Sequence, residues 1–172
     1  MVKMIGAVLV LTSAYALGCL FALKLKEQER WMKEIKLALF LLQGELEYRQ
    51  LPLPEALERA GNHQRGCLEV FFKNMSMELN KREGIPLKEL WKRQSEQFLK
   101  NSPLSREQRE EFGELGVCFA ETDKETRKQT LNFYLNRLEE ELKVLRETGG
   151  EKEYLYRALG MLGGMFLVIL TL

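Results

Sequence analysis

Apolar and polar positions fall into three regimes along the chain. Residues 4–23 and residues 158–172 carry no charge, and every charged side chain except Lys3 lies between Lys24 and Arg157. An apolar helix over residues 4–23 is roughly 30 Å long at about 1.5 Å per residue, which is the hydrocarbon thickness of a bilayer. The second run reaches only about 22 Å on the same rise. Tyr154, Leu155 and Tyr156 extend it, with Arg157 snorkelling to the headgroups and the tyrosines in the interfacial belt. Transmembrane helices are therefore predicted over residues 1–25 and 151–172, around a helical domain of residues 26–150.

Inside that domain the period is helical. Trp31, Ile35, Leu39, Leu42 and Leu46 form one apolar stripe on a helix over about residues 27–49 that continues from the first span. Leu51-Pro52-Leu53-Pro54 ends it, since proline lacks an amide donor and restrains its predecessor. A short helix to Ala60 follows, with Gly61-Asn62 as its C-cap. Leu68, Phe71, Phe72, Met75 and Leu79 mark a third helix, closed at Glu83-Gly84. Pro86 opens a fourth, with Leu87, Leu90, Trp91 and Phe98, and Ser102-Pro103 breaks it.

Ser105 and Gln108 have capping-box spacing for a fifth helix containing Phe112, Leu115 and Phe119. Thr122 or Asp123 caps a sixth, whose Leu131, Leu135, Leu138, Leu142 and Leu145 step 4-3-4-3 in the manner of antiparallel packing. Gly149-Gly150 is expected to interrupt it before the second span. The fold class is all-α: a six-helix antiparallel bundle flanked by a transmembrane helix at each end. One internal echo stands out. Residues 52–59 (PLPEALER) and 86–93 (PLKELWKR) open two similar helical hairpins.

Charge then orients the chain. Lys24, Lys26, Arg30, Lys33 and Lys36 follow the first span, and Lys143, Arg146, Lys152 and Arg157 precede the second. Basic flanks stay in the cytoplasm, so the middle domain is cytoplasmic and both termini lie on the opposite side. Ala14-Tyr15-Ala16 has the form of a cleavage site, and Leu17-Gly18 precedes Cys19 as in a lipoprotein signal. The apolar run continues past Cys19, however, which favours an uncleaved anchor. Ala14, Gly18 and Ala22, and Gly160 with Gly164, are small residues at intervals of four. They allow close helix approach, to each other or to another copy in a homo-oligomer.

The same composition excludes most chemistry. The 26 basic and 25 acidic residues balance, which implies no polyanionic partner, and basic Lys81, Arg82, Lys92 and Arg93 are diluted by acidic neighbours, so no nucleic acid is expected. Cys19, Cys67 and Cys118 are too far apart for a CxxC site, and His63 is the lone histidine. No phosphate-binding, dinucleotide or hydrolase motif occurs. Glu45 with Glu47, and Glu139, Glu140 and Glu141, read as solvated carboxylate faces; Cys67 and Cys118 read as small core residues. No catalytic, cofactor-binding or metal-binding residue is predicted.

Several ordered segments resemble one family. Lys3-Met4-Ile5-Gly6-Ala7 at the start, Glu45-Leu46-Glu47-Tyr48 followed by Leu53-Pro54-Glu55-Ala56-Leu57, and Gly84-Ile85-Pro86-Leu87-Lys88-Glu89-Leu90-Trp91 are similar to the stage III sporulation protein AB family of endospore-forming bacteria. Asp123 with Gln129, and Leu159-Gly160-Met161-Leu162-Gly163-Gly164, complete the similarity over essentially the whole chain. Ala120 and Arg127 depart from the family pattern, which expects glycine and glutamine there.

The resemblance implies a likeness to the cytoplasmic domains of inner-membrane platform proteins in type II secretion and type IV pilus systems. It also implies a place in the channel complex between mother cell and forespore, in the outer forespore membrane. The implied partners are the stage III sporulation protein AA ATPase and other channel subunits. A membrane-tethered helical adaptor unrelated to secretion machinery is the alternative, and a tethered enzyme would need a pocket of convergent polar groups. Glu55, Arg59, Lys88 and Lys92, which repeat at matching positions of the two hairpin starts, are the candidate partner-binding residues.

Overall fold

The computed structural model describes the backbone over residues 2–64, 66–81, 84–121 and 123–171, and side chains chiefly over residues 22–147. The elements are α1 (Val2–Glu47), α2 (Leu53–Asn62), α3 (Cys67–Asn80), α4 (Leu87–Leu99), α5 (Arg106–Ala120) and α6 (Lys124–Thr171), with no strand among the described residues. The chain divides into two compact units, Arg30–Glu141 and Met1–Glu29 with Leu142–Leu172. The site described below lies in the first.

Local chemistry sets most helix ends. Pro52 and Pro86 precede α2 and α4 with nearly the same backbone angles, φ −56°, ψ 146° and φ −57°, ψ 135°. Proline's fixed φ suits a helix entry, and its missing amide costs nothing there. Gly84 adopts φ +73°, which turns the chain toward α4. At α5 the capping box forms in full: Ser105 Oγ accepts from the Gln108 amide at 3.2 Å, and Gln108 Oε1 accepts from the Ser105 amide at 3.0 Å. Gln108 Nε2 also donates to Glu141 Oε2 on α6 at 2.8 Å, so the box ties two helices together. Asp123 caps α6, its carboxylate accepting from both the amide and the hydroxyl of Thr126.

One predicted cap is displaced and one predicted break is absent. Gly61 does not cap α2, which runs on to Asn62 with His63 as its C-cap. It is buried instead, and a Cβ placed on it would meet the Phe72 Cβ at 3.1 Å. Its lack of a side chain serves the approach of α3. Likewise α6 continues unbroken through Gly149-Gly150. Two glycines cost a long helix about 1 kcal/mol each relative to alanine, too little to break it when helix-forming residues flank them.

The core of Arg30–Glu141 follows the predicted stripes with one shift. Met32 is fully buried along with Ile35, Leu39 and Leu42 of α1, whereas Trp31 is only half-buried, its ring 5.6 Å from that of Phe98. Phe98 stacks on Phe71 at 4.9 Å, and Phe71 meets Trp91 edge-on at 5.2 Å. Trp91 in turn contacts Phe119 at 4.8 Å and donates its Nε1–H to the Phe112 carbonyl at 2.8 Å. This aromatic chain joins α1, α3, α4 and α5. Leu131, Leu135 and Leu138 of α6 are buried in the same unit.

The internal echo corresponds to real packing. α2 packs on α3, α4 packs on α5, and α3 links the two hairpins through α4. Ala56 and Leu57 are buried in the first hairpin, and Leu90 and Trp91 at the matching positions of the second. Along α1 and α6, Lys36 pairs with Glu139 at 3.0 Å and Gln43 Nε2 donates to Asn132 Oδ1 at 2.8 Å, one heptad further on. Opposed steps of seven are the signature of an antiparallel two-helix seam. In the other unit, Arg146 pairs with Glu29 at 2.8 Å.

Two side chains contradict their expected surroundings. Cys67 is exposed, because it opens α3 on the solvent side after Gly66, although Cys118 is buried as expected. Glu45, expected on a solvated face, is buried beside Arg49, whose guanidinium lies 3.5 Å from its Oε2. It shares the inward arc of α1 with Leu42 and Leu46, a matter of rotation about the helix axis. Among the described residues no helix is long and apolar enough to cross a membrane. The predicted spans fall largely outside the described side chains, as do Ala14, Gly18, Gly160 and Gly164; Ala22 is half-buried.

Candidate functional site

Helices α4, α5 and α6 frame an open groove of about 950 Å³. Lys88 and Lys92 stand on successive turns of α4 along one wall, followed by Glu96 and Lys100. Thr126, Thr130, Phe133 and Arg137 form the α6 wall, and Gly113 and Val117 of α5 lie between. Buried Leu99, Leu115, Cys118 and Tyr134 close the bottom. The shape depends on two glycines of α5. Gly116 lets α4 settle against α5, and Gly113, whose Cβ would find only Ser95 Oγ at 3.4 Å, keeps the floor low.

The electrostatics of the groove are uneven. Arg106 pairs with Glu110 at 2.7 Å, and Arg137 pairs with both Glu111 and Glu141. Lys88 and Lys92 have no carboxylate partner among the described residues, and the α6 wall carries hydroxyls, an aromatic ring and the carboxylate-paired Arg137. Burial holds the Glu111 carboxyl above the usual glutamate range, although Arg137 pulls the other way. Burial also pushes the Tyr134 phenol far up, and it raises the Cys118 thiol, whose Sγ donates to the Arg127 carbonyl at 3.4 Å. These last two groups keep their protons at neutral pH, so neither offers a thiolate or phenolate nucleophile to the groove. Among the described residues no three His, Cys, Asp or Glu side chains gather to hold a metal.

The four candidate partner-binding residues are all exposed. Glu55 and Arg59 pair with each other across one turn of α2 at 3.0 Å, whereas Lys88 and Lys92 line the groove. The structure thus joins them two by two. Sequence reasoning did not single out Val117 and Phe133, which are 46% and 68% exposed. Their signal was available: each is apolar yet off the buried stripe of its helix, Phe112/Leu115/Phe119 on α5 and Leu131/Leu135/Leu138 on α6.

Comparison with known proteins follows the same outline. The family description "Stage III sporulation protein AB" matches residues 3–172. The chain belongs to that family. Stage III sporulation protein AB of Bacillus subtilis (strain 168) is 22% identical over 172 residues, covering all of both chains. A solved structure of a stage III sporulation protein AB superposes with a TM-score of 0.65 at 18% identity, over 72% of this chain and 97% of the other. Identity that low transfers the fold. This stage III sporulation protein AB family member is therefore an all-helical sporulation protein that shares the fold of a solved relative over 72% of its length.

Proposed function

We propose that the protein is a non-enzymatic membrane platform of the sporulation channel complex, holding a cytoplasmic ATPase, the stage III sporulation protein AA, against the membrane machinery. The observation that carries this reading is the pairing of family membership over residues 3–172 with two helices, α1 and α6, that run without a break from the uncharged ends into the charged bundle. A helix of 46 residues and one of 48 are far longer than a bundle of this size needs, and the surplus length coincides with the apolar runs. Anchored so, the bundle sits at the cytoplasmic face with its basic flanks toward the headgroups, and both termini cross to the other side.

Reporter fusions test the topology. An enzyme active only in the cytoplasm should work when inserted after Gly150, and a tag beyond Leu172 should be labelled from outside. A bundle reachable from outside intact cells overturns the platform. The purified full chain in nanodiscs should bind the ATPase and should itself hydrolyse nothing; lack of binding leaves a tethered adaptor outside any secretion apparatus.

A further inference from the structure

We propose that the groove between α4, α5 and α6 receives an acidic amphipathic helix of the soluble partner, seated on Val117 and Phe133 with its carboxylates toward Lys88 and Lys92. This deepens the platform reading and rests on it. Phe133 and Val117 lie on different helices, lie off the buried stripes, and still line one groove above buried Leu99 and Leu115. Single exposed apolar residues need no explanation; two that line one concavity offer apolar area to a partner.

The shape selects a helix. Among the described residues the chain offers no strand edge, so recognition by strand addition is closed. A trough walled by two helices, with a glycine in its floor, instead takes a third rod in ridge-and-groove fashion, with axes about 8–10 Å apart. Anchors one turn apart on that rod reach Val117 and Phe133.

The charge selects its sign. Of the lining groups without an ion-pair partner among the described residues, four are cations (Lys88, Lys92, Lys100 and Arg109) and three are carboxylates (Glu96, Glu114 and Glu121). The bias is local. Lys88 and Lys92 occupy consecutive turns of α4 and line the groove together with the uncharged Thr126 and Thr130, so the α4 wall there attracts carboxylates. A two-fold contact centred here between copies of this chain would bring the lysines toward their own kind, which disfavours a homodimer through this face.

The test uses full-length chain in nanodiscs, with the purified stage III sporulation protein AA ATPase as probe and Kd read by interferometry at low and high salt. Lys88→Glu with Lys92→Glu, and separately Val117→Ser with Phe133→Ser, should each weaken binding at least about tenfold; the lysine pair should also remove most of the salt dependence. Glu69→Lys with Lys73→Glu on α3, an ion pair that does not line the groove, should stay within about twofold. Melting temperatures of all variants serve as the folding control. A photo-cross-linker at position 133 of the otherwise unaltered chain should capture the ATPase, and one at position 48 should not. Wild-type binding that survives both groove changes overturns the groove and leaves the platform standing. No wild-type binding overturns both. Two further results count against the proposal: ATPase affinity unchanged while phosphatidylglycerol vesicles lose binding with the lysines, which would make the groove a lipid contact, or self-association lost with Phe133→Ser, which would make it a copy-to-copy contact.

Discussion

Gly116 of α5 stands so close to Trp91 of α4 that a Cβ built on it would lie 2.6 Å from the Trp91 Cβ and 3.0 Å from its Cγ. The contact is with the stem of a buried ring, which cannot swing aside. Gly116→Ala should therefore destabilise the chain by about 1–3 kcal/mol through overpacking, even though alanine is the better helix former. Gly44 of α1 is the opposite case, since a methyl group there would meet nothing within 4 Å. Gly44→Ala should leave stability unchanged or raise it by up to about 1 kcal/mol. Chemical denaturation of the two variants side by side checks both signs.

The two aromatic and leucine anchors of the long helices should differ in weight. Leu138 is 5% exposed in the α6 stripe, and Leu138→Ala should cost about 2–5 kcal/mol. Trp31 is half-buried, its ring tilted against that of Phe98, so Trp31→Ala should cost less than Leu138→Ala despite removing a larger side chain. Equal losses on thermal melting would mean that Trp31 is more enclosed than the packing indicates.

Two carboxyl groups give pH dependences of opposite sign. Hydrogen bonds from the Thr126 hydroxyl and amide hold the Asp123 carboxyl below the usual aspartate range. Its stabilisation is therefore complete above that range and is lost as pH falls through the depressed folded value. Asp123→Ala should lower the melting temperature at neutral pH, and the gap to wild type should close in acid.

Glu111 behaves in reverse, since burial raises its folded value. Ionising it costs the fold, so stability falls as pH rises from the ordinary glutamate range through the raised value. Over that interval the balance between Glu111→Gln and wild type should move toward the variant. Melting curves recorded across the acid range separate the two cases.

What could be read from the sequence was the chemistry that acts over one or two turns. The Ser105/Gln108 box, a cap at Thr122 or Asp123, the proline entries and the Leu131/Leu135/Leu138 stripe are each defined by neighbours in the chain, and the structure has each of them, with Asp123 as the cap. Gly61 could not be read, because its role depends on Phe72 arriving from another helix. Glu45 failed for a related reason: the apolar run 37–42 leaves the rotation of α1 ambiguous, and rotation decides whether a carboxylate faces in. Lys88 and Lys92 were legible from the repeated Pro-Leu entry, but the α5 and α6 sides of their groove were not. Those walls come from distant parts of the chain, brought together only by the packing of α5 on α4.

The aromatic chain through Trp31, Phe98, Phe71 and Trp91 has an optical consequence. The protein has two tryptophans, and both belong to that chain, one at its half-open end on α1 and one fully buried on α4. Intrinsic emission from the whole molecule is therefore emission from this one cluster: a blue-shifted component from Trp91, enclosed by rings and a carbonyl, beside a redder one from Trp31. Trp91 backs directly onto the turn that carries Lys88 and Lys92, so displacement of α4 reaches the fluorophore without any label. Replacing Trp31 with phenylalanine would leave a single-tryptophan protein whose colour reports the position of α4 alone.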